Sequence, residues 1–288
     1  MTSSSATALD FEAHYRSLGA RKRLVTIAYG TLFLIAFGLS AWVGEFDPLK
    51  LLRSLPRVHE YAVKTLPTLS LATLWHDLNE WFYAPGKWLS LLWETILIAY
   101  TATLLGTLGA LALCFHASQN LRRGSVSYWL VRRIFEVART IPDLVYALIF
   151  VFAFGIGPLA GILAIAVHSM GGSGKLFAET VENIDMKPVE GLRATGANWL
   201  QIVRFAVLPQ VLPNFATFTL WRFEINVRTA SVIGFVGAGG IGQELYIAIA
   251  RLYYEDISAL LLLLVITVML IDFGCEKLRH AMIGKEHH

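Results

Sequence analysis

Four polar residues, Arg222, Glu224, Asn226 and Arg228, interrupt an apolar run that extends from about Leu208 to Phe235. If that run crosses a membrane, each charge costs about 2.5–3.5 kcal/mol even on insertion scales, so these groups need a partner or a watery cavity. On a helix, Glu224 and Arg228 are spaced i,i+4 in the favourable order and can neutralise each other. Arg222 then pairs by spacing only with Asn226, which leaves one positive charge in excess. A guanidinium offers paired N–H donors that fit phosphate-like oxygens. Passage of a small oxyanion is therefore the chemistry these residues support, with the Ser231 hydroxyl further along the run. The plainer alternative has both arginines reaching the interface or pairing with acids on other helices. The alternation of polar residues also hints at an extended stretch. A lone strand cannot face lipid, so a broken helix lining a cavity would be its permissible form.

A second constellation precedes it. In Met186–Pro209, MKPVEGLRATGANWLQIVRFAVLP, Pro188 and Glu190 suit a first helical turn and Gly196 suits a left-handed stop after Thr195. Asn198 and Gln201 have capping-box spacing, and Trp199, Ile202, Val203 and Ala206 form an apolar stripe. The stretch is expected to form two short helices joined by a glycine turn and lying at a membrane surface.

The elements that must position these residues are set by composition. Of 288 residues 56% are hydrophobic and 16% charged, and apolar runs approach 20 residues, the length a bilayer demands of a helix. The expected fold is an all-α integral membrane protein with spans near 24–43, 88–115, 141–155, 158–172, 208–235 and 257–273. A cytoplasmic segment, 1–23, partly ordered over residues 1–20, precedes them and a loop, 183–207, lies between the fourth and fifth. Residues 141–170 read as a hairpin broken at Gly155-Ile156-Gly157-Pro158, because a single span would put Arg139 and Lys175 on opposite sides. Residues 44–87 read as a polar linker in which 71–83 form an amphipathic helix, either lying at the interface or serving an external partner. Residues 243–256 read as a polar segment. Gly106 and Gly109 invite close helix approach, and His168 reads as a packed interior residue. With both termini cytoplasmic, sixteen Lys and Arg fall inside and six outside, the last two being Arg222 and Arg228.

Other chemistry finds little support. A net charge of +3 spread along the chain gives no nucleic-acid footprint. Cys114 and Cys275 make no disulfide framework or metal site. Gly237-x-Gly239-x-x-Gly242 fits a dinucleotide fingerprint but lacks the strand before it, and Gly171-Gly-Ser-Gly174-Lys175 is half a phosphate loop with Ser169 and Leu176 at two required positions. ATP hydrolysis by this chain is not expected.

Glu190, Gly196, Leu208 and Pro209 match the spacing of the cytoplasmic "EAA" loop of bacterial ABC-importer permeases, and the chain resembles that family. Gly191 and Leu192 stand where two small residues are usual, and Ala206 replaces an isoleucine. The resemblance implies a type I, MetI-like architecture in which Glu190, Gly191, Leu192, Thr195, Gly196, Leu208 and Pro209 form an ATPase-coupling loop. Asn226-x-Arg228 followed by TASVIGFVGAGGIG, Thr229–Gly242, is similar to the phosphonate-importer branch. That similarity implies a homodimer working with two ATPase chains and a periplasmic phosphonate-binding protein in the bacterial cytoplasmic membrane. No cofactor is expected on this chain, ATP and magnesium being held by the ATPase. The cargo implied is a phosphonate, phosphite or phosphate, with Arg222, Glu224, Asn226, Arg228 and Ser231 on its path. Another ABC cargo such as an amino acid, or a channel or enzyme without an ATPase, is the rival expectation.

Overall fold

Helices account for nearly all of the computed structural model, which describes residues 3–68, 70 and 72–283; among them there is no strand. The chain divides into two units, Met1–Val63 and Lys64–His288. The first unit holds α1 (Ser3–Val43) and most of α2 (Pro48–Thr65). The expected N-terminal segment is thus a helical extension of the first span, with Arg21–Val43 long and apolar enough to cross a membrane. The supposed polar linker is also largely helical. In α2, Lys50, Arg53, Arg57, Glu60 and Lys64 succeed one another at helical spacing, opposite Leu51, Leu52, Leu55 and Ala62, and no residue is buried.

The second unit contains α3 (Leu74–Trp81), α4 (Pro85–Ala117), α5 (Ser125–Thr140), α6 (Asp143–Phe154), α7 (Pro158–Glu182), α8 (Lys187–Ala194), α9 (Trp199–Ile202), α10 (Leu208–Ile233), α11 (Ile241–Ala250) and α12 (Tyr254–Ile283). The amphipathic helix expected at 71–83 is α3; Leu71 and, in the tail, Lys285 lie outside the described residues. Four helices, α1, α4, α7 and α12, are long and apolar enough to span. Two bent pairs, α5 with α6 at 89° and Trp199–Val236 with α11 at 46°, bring the number to six if each pair is one span. The charges of α10 weaken its apolar signal.

The hairpin is present but unequal. The 12 residues of α6 reach only ~18 Å, whereas the 25 of α7 reach ~37 Å. Pro158 starts α7, and the helix runs through the Gly171–Gly174 patch without a break to Glu182, ten residues beyond the expected end. Gly155 and Gly157 hold positive φ at the turn (87° and 152°), where a side chain would be strained. The Gly157 N–H donates to the Gly237 carbonyl (2.9 Å), so the hairpin tip is pinned to the second glycine turn. Residues 243–256, expected to be a polar segment, instead include most of α11, whose Ile241, Leu245 and Ala248 are buried against Trp88, Leu92, Ile257 and Leu260. The polar residues there occupy only one side of a helix whose other side is apolar.

The core is built on α7. A Cβ at Gly106 would stand 2.9 Å from the Ala166 carbonyl oxygen and from Ser169 Cβ, and one at Gly109 would press on Met170 Sδ at 3.0 Å. Small residues at these positions let the backbones of α4 and α7 meet, the packing mode that replaces hydrophobic burial inside a bilayer. Phe177 stacks on Phe215 at 4.0 Å, joining α7 to α10. Gly106→Leu should therefore lower stability by about 1–3 kcal/mol through overpacking, seen as a lower melting temperature in detergent. Gly30→Ala, where an added Cβ meets nothing within 4 Å, should leave that temperature unchanged.

Candidate functional site

The stretch Met186–Pro209 forms as its local signals dictate. Pro188 lies in the first turn of α8, and Val189, fully buried, anchors the helix to the body. The helix closes with Gly196 at φ 79°, its N–H donating to Arg193 O (3.0 Å) while Ala197 N–H donates to Leu192 O (3.2 Å). These are the paired bonds of a Schellman cap. Asn198 Oδ1 then accepts from Gln201 N (2.9 Å), and Gln201 Oε1 accepts from Asn198 N (2.8 Å), completing the reciprocal capping box.

Beyond the box the chain departs from the expected pair of separate short helices. After α9 it makes one π turn, Val203–Val207, and continues directly as α10. Pro209 has no N–H, and in a regular helix its ring would meet the Phe205 carbonyl four residues back. The extra residue of a π turn just before it relieves that crowding. Thus Leu208 and Pro209 do not break the chain; the capping box opens a helix that reaches Ile233.

Side chains hold this lever to the body. Gln210 Oε1 accepts from Asp185 N (3.1 Å), and its Nε2 donates to Asp185 O (3.2 Å) and Ala206 O (2.6 Å). Trp199 Nε1 donates to Leu121 O (3.1 Å), and Asn120 Nδ2 donates to Val181 O (2.7 Å). Glu182 pairs with Arg132 (2.6 Å) and accepts from Gln119 N (2.8 Å). Glu190, Gly191, Thr195, Gly196 and Leu200 face outward, and among the described residues the Glu190 carboxylate has no ion partner. Leu192 is half-buried on the inner side.

Within α10 the charges find partners that helical spacing did not indicate. Glu224 pairs with Arg279, and Arg228 Nη2 donates to both Asp272 oxygens (2.9 and 2.8 Å). Both partners are on α12, so the expected Glu224–Arg228 pair does not form. Packing of α10 against α12 brings an opposite charge within reach of each group, so both pair across the helices rather than along α10. Nor does Asn226 serve Arg222. Its Nδ2 donates to Thr103 Oγ1 (2.8 Å) and its Oδ1 accepts from Ser169 (3.0 Å), all three residues being buried. This relay joins α4, α7 and α10. Ser231 Oγ returns to the Val227 carbonyl of its own helix (3.1 Å). The helix is continuous here, so neither an extended stretch nor a break is present.

Arg222 stands apart. It is half-buried, its Nε is enclosed without a hydrogen-bond partner, and no ion pair to it exists among the described residues. Its guanidinium lies beside Gly172 of α7, 5.8 Å from the Trp221 ring, and Asp143 is the acid that acts on it electrostatically. His168 Nδ1 sits 3.1 Å from Ile141 O, the packed position expected of it. Cys114 and Cys275 are buried free thiols.

The far end of the bundle is tied by polar contacts. Trp81 Nε1 donates to Ser258 Oγ (3.0 Å), Lys87 pairs with Glu244 (2.5 Å), and Ile241 N–H donates to Thr95 Oγ1 (2.9 Å). Tyr83 Oη donates to Asp256 (3.1 Å), and burial, then that bond, raises its pKa above the ordinary tyrosine value. Gly237, Gly239 and Gly240 all hold positive φ. They form a turn against Pro158 and Ile156 rather than the start of a nucleotide site.

Sequence spacing missed Asp272, Arg279, Thr103, Ser169 and Gln210. The first two were visible as charges at the end of an apolar run, which by itself calls for a partner.

A bundle in which an exposed capped lever continues into a charged span has known counterparts. Residues 110–274 match the family model described as "Binding-protein-dependent transport system inner membrane component", more than half of the chain. The chain belongs to this family. The phosphite transport system permease protein PtxC of Stutzerimonas stutzeri is 34% identical over 258 residues, covering 90% of this permease and 86% of that protein. The putative cryptic phosphonate transport system permease protein PhnE2 of Escherichia coli K12 is 48% identical over 122 residues, 42% of this chain and the whole of that one. Among solved structures, an inward-facing form of the MetNI methionine ABC transporter aligns with a TM-score of 0.58 at 26% identity, over 69% of this chain and 98% of that chain. The MetI-like, all-α fold expected for the permease is the one it has, and the chain is a transport subunit of a membrane-embedded family.

Removing the relay has a measurable cost. Asn226→Leu strands the buried Ser169 hydroxyl, while Thr103 keeps its bond to the Ala99 carbonyl (2.6 Å), and the permease should lose about 1–3 kcal/mol of stability. The midpoint temperature in detergent checks this, and an unchanged midpoint would mean that the relay contributes no stability.

Proposed function

We propose that this permease carries a small phosphorus oxyanion, a phosphonate, phosphite or phosphate, across the cytoplasmic membrane, driven by ATP hydrolysis on a separate ATPase chain. The reading rests first on the relatives, since a phosphite permease is similar over nine tenths of the chain. Arg222 supports it from within: a charge with no salt-bridge partner among the described residues, held in an apolar bundle, favours an anionic visitor. Arg228, Glu224, Asn226 and Ser231 complete the candidate path. In this reading the two ion pairs hold α10 on α12, and the Asn226 relay fixes its rotation.

At the other end of α10, the outward face of Glu190, Gly191, Thr195, Gly196 and Leu200 docks into the ATPase. Glu190 meets a basic residue there, and closure of two ATPase chains on ATP and magnesium drives the lever. Two copies of the permease flank the path, with an extracytoplasmic binding protein delivering cargo opposite the ATPase. Both termini are cytoplasmic, as the distribution of Lys and Arg favours. Lipid covers the apolar sides of the spans.

Reconstitution with the ATPase and binding protein in liposomes tests the whole reading. Uptake of phosphite or methylphosphonate that is ATP-dependent and unaffected by excess methionine is the expected result; uptake of methionine instead would sink the oxyanion assignment. Glu190→Lys should reduce uptake by more than about tenfold with the permease still in the membrane, and native uptake would remove Glu190 from the docking face. Arg222→Ala should slow uptake more than basal ATP hydrolysis, whereas equal losses would make the arginine purely structural.

A further inference from the structure

The run Gly171-Gly172-Ser173-Gly174 on α7 has three glycines, and each leaves room for a different neighbour. A Cβ at Gly171 would sit 2.6 Å from the Arg139 backbone nitrogen and 2.7 Å from the Phe135 carbonyl oxygen, so the backbone of α5 rests there. A Cβ at Gly174 would enter the Phe135 ring. At Gly172 no backbone and no ring is in the way. The space belongs to the guanidinium of Arg222, whose Nη2 is nearest and whose Cζ would lie 3.0 Å from the added atom.

We infer that Gly172 is a positioning residue for transport: its missing side chain opens a slot in α7 in which the Arg222 guanidinium is held facing the anion path. The inference rests on the reading of Arg222 given above. Arg222 forms no ion pair among the described residues and its Nε has no acceptor, so salt bridges do not fix its direction. Contact with the bare helix backbone does so instead, with the Trp221 ring alongside and Asp143 acting on it electrostatically. A charged donor group whose orientation is fixed before the ligand arrives spends nothing on reorganisation when the anion passes. A methyl at position 172 would occupy the slot. Because the obstructed atoms end a flexible side chain, the guanidinium can swing away while the helices stay in place. Gly171→Ala differs, since there a backbone would have to move.

A double-mutant cycle on uptake by the full transporter decides the matter, using phosphite as the probe. Gly172→Ala should lower uptake about fivefold or more in the native background, and by less than about twofold when Arg222→Ala is already present. A glycine needed only for helix packing would cost the same in both backgrounds, and that result overturns the inference. If Arg222→Ala alone transports at the native rate, the oxyanion role of Arg222 fails, and the slot loses its purpose with it. That failure is read from the single variant and so is separate from failure of the slot. Should Gly172→Ala fail to reach the membrane, its abundance with Arg222→Ala serves instead. Recovery means that the guanidinium was the obstacle, and continued loss means that packing was.

Discussion

Inside a bilayer there is no water to satisfy a stray polar group and little hydrophobic gain from pairing two helices. The bundle answers both conditions along one line, the meeting of α4 and α7. Gly106 and Gly109 remove the side chains that would keep the backbones apart, and only at that separation can Asn226 of α10 reach Thr103 and Ser169 together. Close packing and polar satisfaction thus depend on each other. Widening the α4–α7 contact would strand the relay, and losing the relay would leave Asn226 and Ser169 as buried groups that favour separation, Thr103 alone keeping a bond, to the Ala99 carbonyl. The elements around α7 inherit their positions from this line: α5 by backbone contact at Gly171, α6 through the glycine hairpin, and α10 through Phe215 and Asn226.

A rigid core makes a lever possible. From Trp199 to Ile233 the chain is helical throughout, changing only its pitch at the π turn. Trp199 and Arg222 are therefore about 34 Å apart along one axis at the usual rise per residue. Displacement at the capped end cannot be absorbed by a loop between them, because there is none. The helix is bounded before it by the Gly196 cap and after it by the glycine turn of residues 234–240. Gln210 ties the start of α10 to Asp185, in the turn between α7 and α8, through two reciprocal bonds.

The parts legible in the sequence are those settled within one turn of chain. The Gly196 cap, the Asn198–Gln201 box and the Gly155–Gly157 break are readable because the residues that make each bond are neighbours. What escapes is decided across the bundle. Glu224 and Arg228 have correct spacing for a pair, yet each meets a better-placed opposite charge on α12, more than forty residues away. Leu208-Pro209 has the look of a boundary and so suggests two separate short helices at 186–206, whereas a π turn lets the helix pass through it. The helix α11 is obscured by Gln243 and Glu244, although its buried side, Ile241, Leu245 and Ala248, keeps helical spacing. In α2 the mixed charges suggest a linker by composition, and only their angle around the axis reveals a helix.

The change of partners in α10 leaves the charge balance intact, for a reason that belongs to electrostatics. Pairing Glu224 with Arg228 along the helix would leave a single excess positive charge at Arg222. The observed pairing brings in Asp272 and Arg279 from α12, one acid and one base, so the balance of the cluster is unchanged. Any exchange of partners that recruits a neutral pair from another helix preserves the excess, and the excess falls on the residue that no exchange can serve. Arg222 is that residue because its guanidinium lies against Gly172 of α7, whereas Glu224 and Arg228 meet the charged groups of α12. The position of the unpaired charge thus depends on which neighbour each side of α10 meets, and Asp143 acts on Arg222 electrostatically without forming an ion pair among the described residues.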